Sequence, residues 1–166
     1  SENDNVQIGD AHKLDFTDNH FDLVASIAVF EHLHSPWIAI KEISRVLKKG
    51  GYFLGTVAFL EPEHQNSYFH MTERGMSKII EEGNLSLEFI EPVQGWNVGT
   101  SMKILPLPGM RFYNRIRSGL VFTLRSLLIN IRIATLSGVR KERAINFKKT
   151  DKSRYAGSFS FMAKKV

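Results

Sequence analysis

The stretch from Val6 to Phe59 runs strand, loop, strand, helix, strand, with an acidic residue at the exit of the first strand, and this order limits the fold more than any other feature. Val6-Gln7-Ile8 is a short apolar run closed by Gly9-Asp10, two residue types that are poor inside strands. Phe21 to Val29 is a nearly continuous apolar run of strand length, the pattern of a strand covered on both faces in a parallel sheet. Ser35-Pro36 predicts a helix start, with a side-chain oxygen at the cap and proline at the first helical position. Trp37, Ile40, Ile43 and Leu47 recur at spacings of three and four and predict the buried face, with Lys41, Glu42, Arg45 and Lys48 mostly away from it. Lys48 and Lys49 suit the negative end of the helix dipole, and Gly50-Gly51 can supply a left-handed turn to end it. Tyr52 to Phe59 then reads as the next buried strand, which makes a right-handed parallel unit.

The same residues resemble the central block of class I S-adenosylmethionine-dependent methyltransferases of the type 11 kind. The features that carry the likeness are Asp10-Ala11, Leu14-Asp15-Phe16 with Phe21-Asp22-Leu23-Val24, Glu31-His32-Leu33, and Glu42-Ile43-Ser44-Arg45-Val46-Leu47 running into Gly50-Gly51. Each is weak alone, but their order and spacing over this block are specific. The resemblance implies a Rossmann-like, mostly parallel α/β sheet with antiparallel C-terminal edge strands, and S-adenosyl-L-methionine as cofactor. It implies that Asp10 accepts a hydrogen bond from the adenine amino group, that the Ala11 N–H reaches an adenine ring nitrogen, and that Ile27 meets the methionine part through its backbone. A carboxylate at a strand's C-terminal end lies where open α/β sheets bind ligands. Against this stands a plain turn role for Asp10, bonding its own backbone.

Glu31-His32 stays open between two readings. One makes His32 a base or substrate-orienting group, since an imidazole transfers protons near neutrality. The other has both residues closing a loop before the helix. A branch of the family uses a Glu-x-x-Glu-His run with a divalent metal; Ala28 stands where the first Glu would be, so no metal is expected. Methyl transfer needs few side chains, because the sulfonium carbon is already electrophilic and the protein mainly aligns a nucleophile and excludes water. The chain has no Gly-x-Ser-x-Gly elbow, no Walker-type loop and no cysteine, which removes several competing enzyme classes.

Relatives begin with a strand, a glycine-rich loop, a helix and a second strand ending in an acidic residue for the ribose. None of these precedes Val6 in this sequence. The N-terminal half of the sheet is therefore expected to be missing, and the 166-residue chain alone is expected to bind S-adenosylmethionine weakly and to be inactive.

Downstream, Thr72 predicts a helix cap, Met76, Ile79 and Ile80 a buried face, and Gly83-Asn84 the helix end. Leu85, Leu87 and Phe89 alternate with Ser86, Glu88 and Ile90 as in a half-buried strand before Pro92, and Ser158 to Ala163 alternates again. These runs fit the family's antiparallel edge pair, with a basic helical insertion over 95–155 inside a single partial domain of residues 1–166.

Charge divides sharply along the chain. Residues 1–102 hold 7 Lys+Arg against 15 Asp+Glu, net −8, and residues 103–166 hold 15 against 2, net +13. A helical pattern runs from Arg111 to about Leu136, with Arg117, Arg125 and Arg132 on one quadrant and leucines and isoleucines over most of the rest. Two central arginines exclude a membrane-spanning helix. A lid or dimer contact, an interfacial helix on anionic lipid helped by the run Arg140 to Arg154, and a nucleic-acid surface all fit; no known RNA- or DNA-binding module is present. Ala144 to Ser158 reads as linker. The absence of cysteine fits a reducing, cytoplasmic setting, with membrane association through the basic segment as the other option. These readings converge on methyl transfer to a small-molecule or lipid acceptor. Two others stay open: a non-catalytic methyltransferase-like subunit that binds a partner or membrane, and a nucleic-acid methyltransferase.

Overall fold

A computed structural model describes residues 8–97, 100, 120, 123–124, 127–135 and 138–166. It divides into two compact units, one of Ser1–Val57, Gln65–Ile90 and Ser160–Val166, the other of Ala58–His64 and Glu91–Phe159. The named strands are β1 (Phe21–Ile27), β2 (Leu47–Ala58), β3 (Leu85–Pro92) and β4 (Ser158–Lys165). Among the described residues, the named helices are α1 (Pro36–Val46), α2 (Glu73–Glu82) and α3 (Gly138–Arg154), and a 3-10 turn spans Phe30–His32.

The four strands form one sheet in the order β1-β2-β4-β3. β1 and β2 run parallel, as a strand–helix–strand unit requires, and the other neighbours are antiparallel. The mixed α/β sheet with an antiparallel edge pair matches the fold expected from the sequence, and β4 returns beside β3 after the long connection from Val93 to Gly157.

The core of the first unit lies between the sheet and α1 and α2. Ala39, Ile40, Ile43 and Val46 of α1 and Met76 and Ile80 of α2 are buried. Phe53 and Phe161 are buried on neighbouring strands, with ring centroids 5.0 Å apart, and Phe30 from the 3-10 turn lies 5.7 Å from Phe53. Thr72 caps α2 as predicted, its hydroxyl accepting from the Gly75 N–H at 3.0 Å.

Several local expectations change. Val6 and Gln7 lie outside the described residues, and Ile8 is exposed and not in a strand. β1 is not covered on both faces: Leu23 and Ile27 are more than half exposed, because β1 is an edge strand among the described residues and its odd-numbered face carries no covering helix there. Ser35 is the N-terminal residue before α1, but its hydroxyl meets the His34 ring at 2.8 Å instead of capping the helix. Trp37 turns outward beside Phe69, and Ala39 and Val46 take the buried positions.

α1 also stops before the glycines. Leu47 is extended, pairs with Phe21, and accepts the Lys165 ammonium on its carbonyl at 2.6 Å, so the strand ladder captures residues that the lysine-glycine run assigned to the helix end. Gly50 keeps a left-handed φ of 79°, inside β2. Phe89 is exposed, so the alternation in β3 holds only at Leu85 and Leu87. Most of the helix predicted over Arg111–Leu136 lies outside the described residues, while residues 127–135 are helical. The segment read as linker from Ala144 is helix as far as Arg154, because its alanine, lysines and arginine are good helix formers whatever their charge.

Candidate functional site

The site is built where the chain leaves β1 and where the Asp10 loop meets the start of α1. Asp10 sits in a tight turn. Its Oδ1 accepts from the His12 backbone N–H at 2.9 Å and meets His12 Nδ1 at 2.7 Å, and its carbonyl accepts from the Lys13 N–H at 3.0 Å. The backbone bond from His12, then its side-chain bond, hold the Asp10 carboxyl below the usual carboxylate range. The turn role weighed for Asp10 is therefore real, but it occupies one oxygen only. Asp10 Oδ2 and the adjacent Ala11 N–H have no hydrogen-bond partner among the described residues, and the carboxylate is exposed.

His12 extends the link. Its Nε2 accepts from the Ser35 N–H at 3.3 Å, which sets the tautomer with hydrogen on Nδ1, facing Asp10. Its ring stacks on His34 with centroids 4.1 Å apart. The Asp10 turn is thus tied to the β1–α1 connection, within three residues of His32 along the chain. Sequence reasoning assigned His12 no role. The Asp-x-His spacing could have suggested the turn, but the bond to Ser35 joins residues 23 apart and leaves no local pattern.

At the end of β1, Ile27 pairs with Thr56, and the next N–H, from Ala28, donates to the Thr56 carbonyl at 3.3 Å and its hydroxyl at 3.2 Å. Ala28 has a φ of 52°, a left-handed conformation costly for a residue with a side chain and often found where a fold shapes a site. The 3-10 turn follows. Glu31 is 1% exposed and its carbonyl accepts from the Tyr68 and Phe69 N–H groups; among the described residues its Oε2 has no partner, and Ser26 Oγ is a second buried oxygen without one. His32 is half-buried, its backbone N–H bound to Val29. Asp10 and Ala11 therefore lie on the loop before β1, Ile27 ends β1, and His32 lies on the turn that follows it. Arg132 is exposed on the helical stretch 127–135, whereas Arg117 and Arg125 lie outside the described residues.

A second network holds the loop in place. Arg45 of α1 donates to the Leu14 and Phe16 carbonyls at 2.8 and 2.7 Å, to Asp18 at 2.8 Å, and to both Glu42 oxygens at 2.8 and 2.9 Å. Glu42 in turn accepts from the Leu14 N–H at 2.9 Å. The sequence placed this pair on the wet face of α1; there it clamps the loop between Asp10 and β1. The bond from Arg45 lowers the Glu42 carboxyl below its ordinary 4.5 despite partial desolvation. A carboxyl whose pKa is lower folded than unfolded adds stability above about pH 4.5, and that stability is lost as pH falls through the folded value. Urea unfolding from pH 7 to pH 3 should show this loss, and Glu42→Gln should remove a part on the order of 1 kcal/mol. An unchanged pH profile in the variant would show that the clamp does not support the loop.

Residues 1–55 match the family model described as a methyltransferase domain. An uncharacterised methyltransferase of Schizosaccharomyces pombe is 44% identical over 50 residues, which cover 30% of this chain and 18% of that protein. Among solved structures, the cyclase SpnF aligns with a TM-score of 0.53 and 16% identity, covering 96% of this chain and 54% of that one. A SAM-dependent methyltransferase from Methanosarcina mazei aligns with a TM-score of 0.52 and 14% identity, covering 96% and 66%. The chain thus spans about half of the cyclase and under one fifth of the yeast protein. At these identities the structural likeness speaks for the fold.

Proposed function

We propose, from the match of residues 1–55 to a methyltransferase domain, that the protein transfers a methyl group from S-adenosyl-L-methionine to a small-molecule or lipid acceptor. One observation carries the reading: among the described residues, a carboxylate oxygen on Asp10 and the N–H of the adjacent Ala11 have no hydrogen-bond partner, on the loop that leads into a parallel β–α–β unit. An adenine edge offers an amino donor beside a ring-nitrogen acceptor, the complement of that pair. His12 fixes Asp10 in its ionised form, and the link to Ser35 keeps the pair from rotating away.

When bound, the cofactor supplies an electrophilic methyl on a sulfonium. The chain's own part is to hold and orient. The backbone at Ile27 and left-handed Ala28 would hold the methionine portion at the strand end. His32, on the following turn, orients the acceptor or takes its proton at an imidazole nitrogen, a step that an acidic hydroxyl would not need. A cyclase shares this fold, so the reaction depends on the groups at the site and the sheet alone does not specify it.

Asp10→Ala in the full-length protein should weaken S-adenosylmethionine binding by roughly tenfold to one hundredfold in calorimetry, the scale of a lost hydrogen bond to a charged group. His32→Ala should leave that affinity unchanged and lower turnover. Wild-type affinity in Asp10→Ala would overturn the adenine assignment.

A further inference from the structure

The second unit carries a feature that methyl transfer does not use. On the helical stretch 127–135 and at Leu124 just before it, Leu124, Leu127, Leu128 and Ile131 are 49%, 52%, 65% and 50% exposed. Leu127, Leu128 and Ile131, at spacings of one, three and four, lie on one stripe of this helix. Ile129 and Ile133, on the opposite side, are less exposed, so this helix faces outward with its most apolar stripe. Arg132 borders that stripe.

Beside this helix lies α3, joined to it by the Lys148 ammonium donating to Asn130 Oδ1 at 2.6 Å. α3 exposes Arg140, Lys141, Arg143, Lys152 and Arg154, and none of these forms an ion pair among the described residues. Exposed leucines next to uncompensated cations are the two components that hold a helix at an anionic bilayer surface: apolar side chains enter the acyl boundary while the cations meet lipid phosphates. No described helix is long and apolar enough to cross a membrane, which fits a surface that rests on lipid. Nucleic acid would use the cations but gains little from a leucine stripe, since its bases need aromatic platforms.

We propose that this helix pair is a docking surface for anionic lipid bilayers. The proposal stands independently of the methyl-transfer reading, because cofactor affinity can be measured separately on the same protein. The test is flotation of the 166-residue chain with phosphatidylcholine vesicles, pure or with roughly one quarter phosphatidylglycerol, at low and high salt. The chain should float with the anionic vesicles only, and salt should release it. Leu127→Gln/Leu128→Gln/Ile131→Gln and Arg140→Glu/Lys141→Glu/Arg143→Glu should each weaken binding about tenfold or more. All six side chains are exposed, so both variants should keep the wild-type circular dichroism spectrum. The salt response of the unaltered chain decides the matter even if a variant misfolds. Absence from anionic vesicles, or equal binding to neutral ones, overturns the proposal. So does tight retention by single-stranded RNA that survives the leucine changes, and so does a dimer in solution that those changes convert to monomer.

Discussion

Gly55→Ala should destabilise the protein by about 3–5 kcal/mol, more than an ordinary crowded substitution, and should leave little folded material at physiological temperature. Gly55 pairs with Ser26 across the parallel ladder that joins β1 to β2. A methyl group there would overlap the Ser26 carbonyl oxygen and lie 3.0 Å from the Ser26 carbonyl carbon and 2.9 Å from the Phe161 ring. Two of those three contacts are backbone atoms, which cannot move without opening the ladder. Phe161 is 1% exposed and has nowhere to retreat. Gly50→Ala is the informative comparison. Its surroundings are open, with nothing within 4 Å of the added carbon, and only its φ of 79° opposes a side chain, so about 1 kcal/mol is expected. Chemical denaturation of the two variants separates close approach from backbone strain. Equal costs would show that β1 does not press on β2 at this point. The strain would also reach the proposed site, since Ile27 and Ala28 directly follow Ser26 in the chain.

The parallel unit was legible because its signals are local. Phe21–Ile27 and Ser158–Lys165 have strand length and pattern, Pro36 marks the first helical residue, and Thr72 caps its helix through a bond that spans three residues. What could not be read came from longer-range competition. Helix and strand both suited Leu47 to Gly51, and the pairing with β1 together with the bond from Lys165 decided for the strand. Trp37 matched the helical spacing of the core, yet Ala39 and Val46 filled the space against the sheet and the indole turned toward Phe69. The run from Ala144 to Arg154 reads as linker, yet its alanine, lysines and arginine favour helix, and the structure is helical there. At the candidate site, Asp10 and Ala11 were singled out by the motif that surrounds them, and the structure shows only the turn they form. His12 was not, because its two ring nitrogens face partners on different segments. The Glu42–Arg45 clamp was visible as an i,i+3 pair, but its carbonyl acceptors at Leu14 and Phe16 belong to a loop that has no periodicity.

Phe53→Ala should cost about 3–5 kcal/mol and lower the melting temperature by roughly 10 °C. Phe53 is fully buried and is the shared member of an aromatic cluster, with Phe30 at 5.7 Å and Phe161 at 5.0 Å between ring centroids. Removing its ring takes away apolar burial and leaves a void walled by two rigid rings, which collapse less readily than aliphatic side chains would. Phe53→Leu keeps most of the volume and should cost clearly less. The same cavity should be felt at the candidate site, because Phe30 anchors the 3-10 turn that carries Glu31 and His32. With its neighbour gone, Phe30 can settle inward and draw the His32 ring with it, so the His32 resonances in nuclear magnetic resonance spectra should shift in Phe53→Ala while those of His20 stay in place. Small apolar molecules such as benzene should bind the void and restore part of the lost stability, as dry apolar cavities do. A melting temperature within one or two degrees of wild type would show that these three rings do not form the core, and an unmoved His32 signal alongside a large loss of stability would show that the turn is held by the Tyr68 and Phe69 backbone bonds to Glu31 instead.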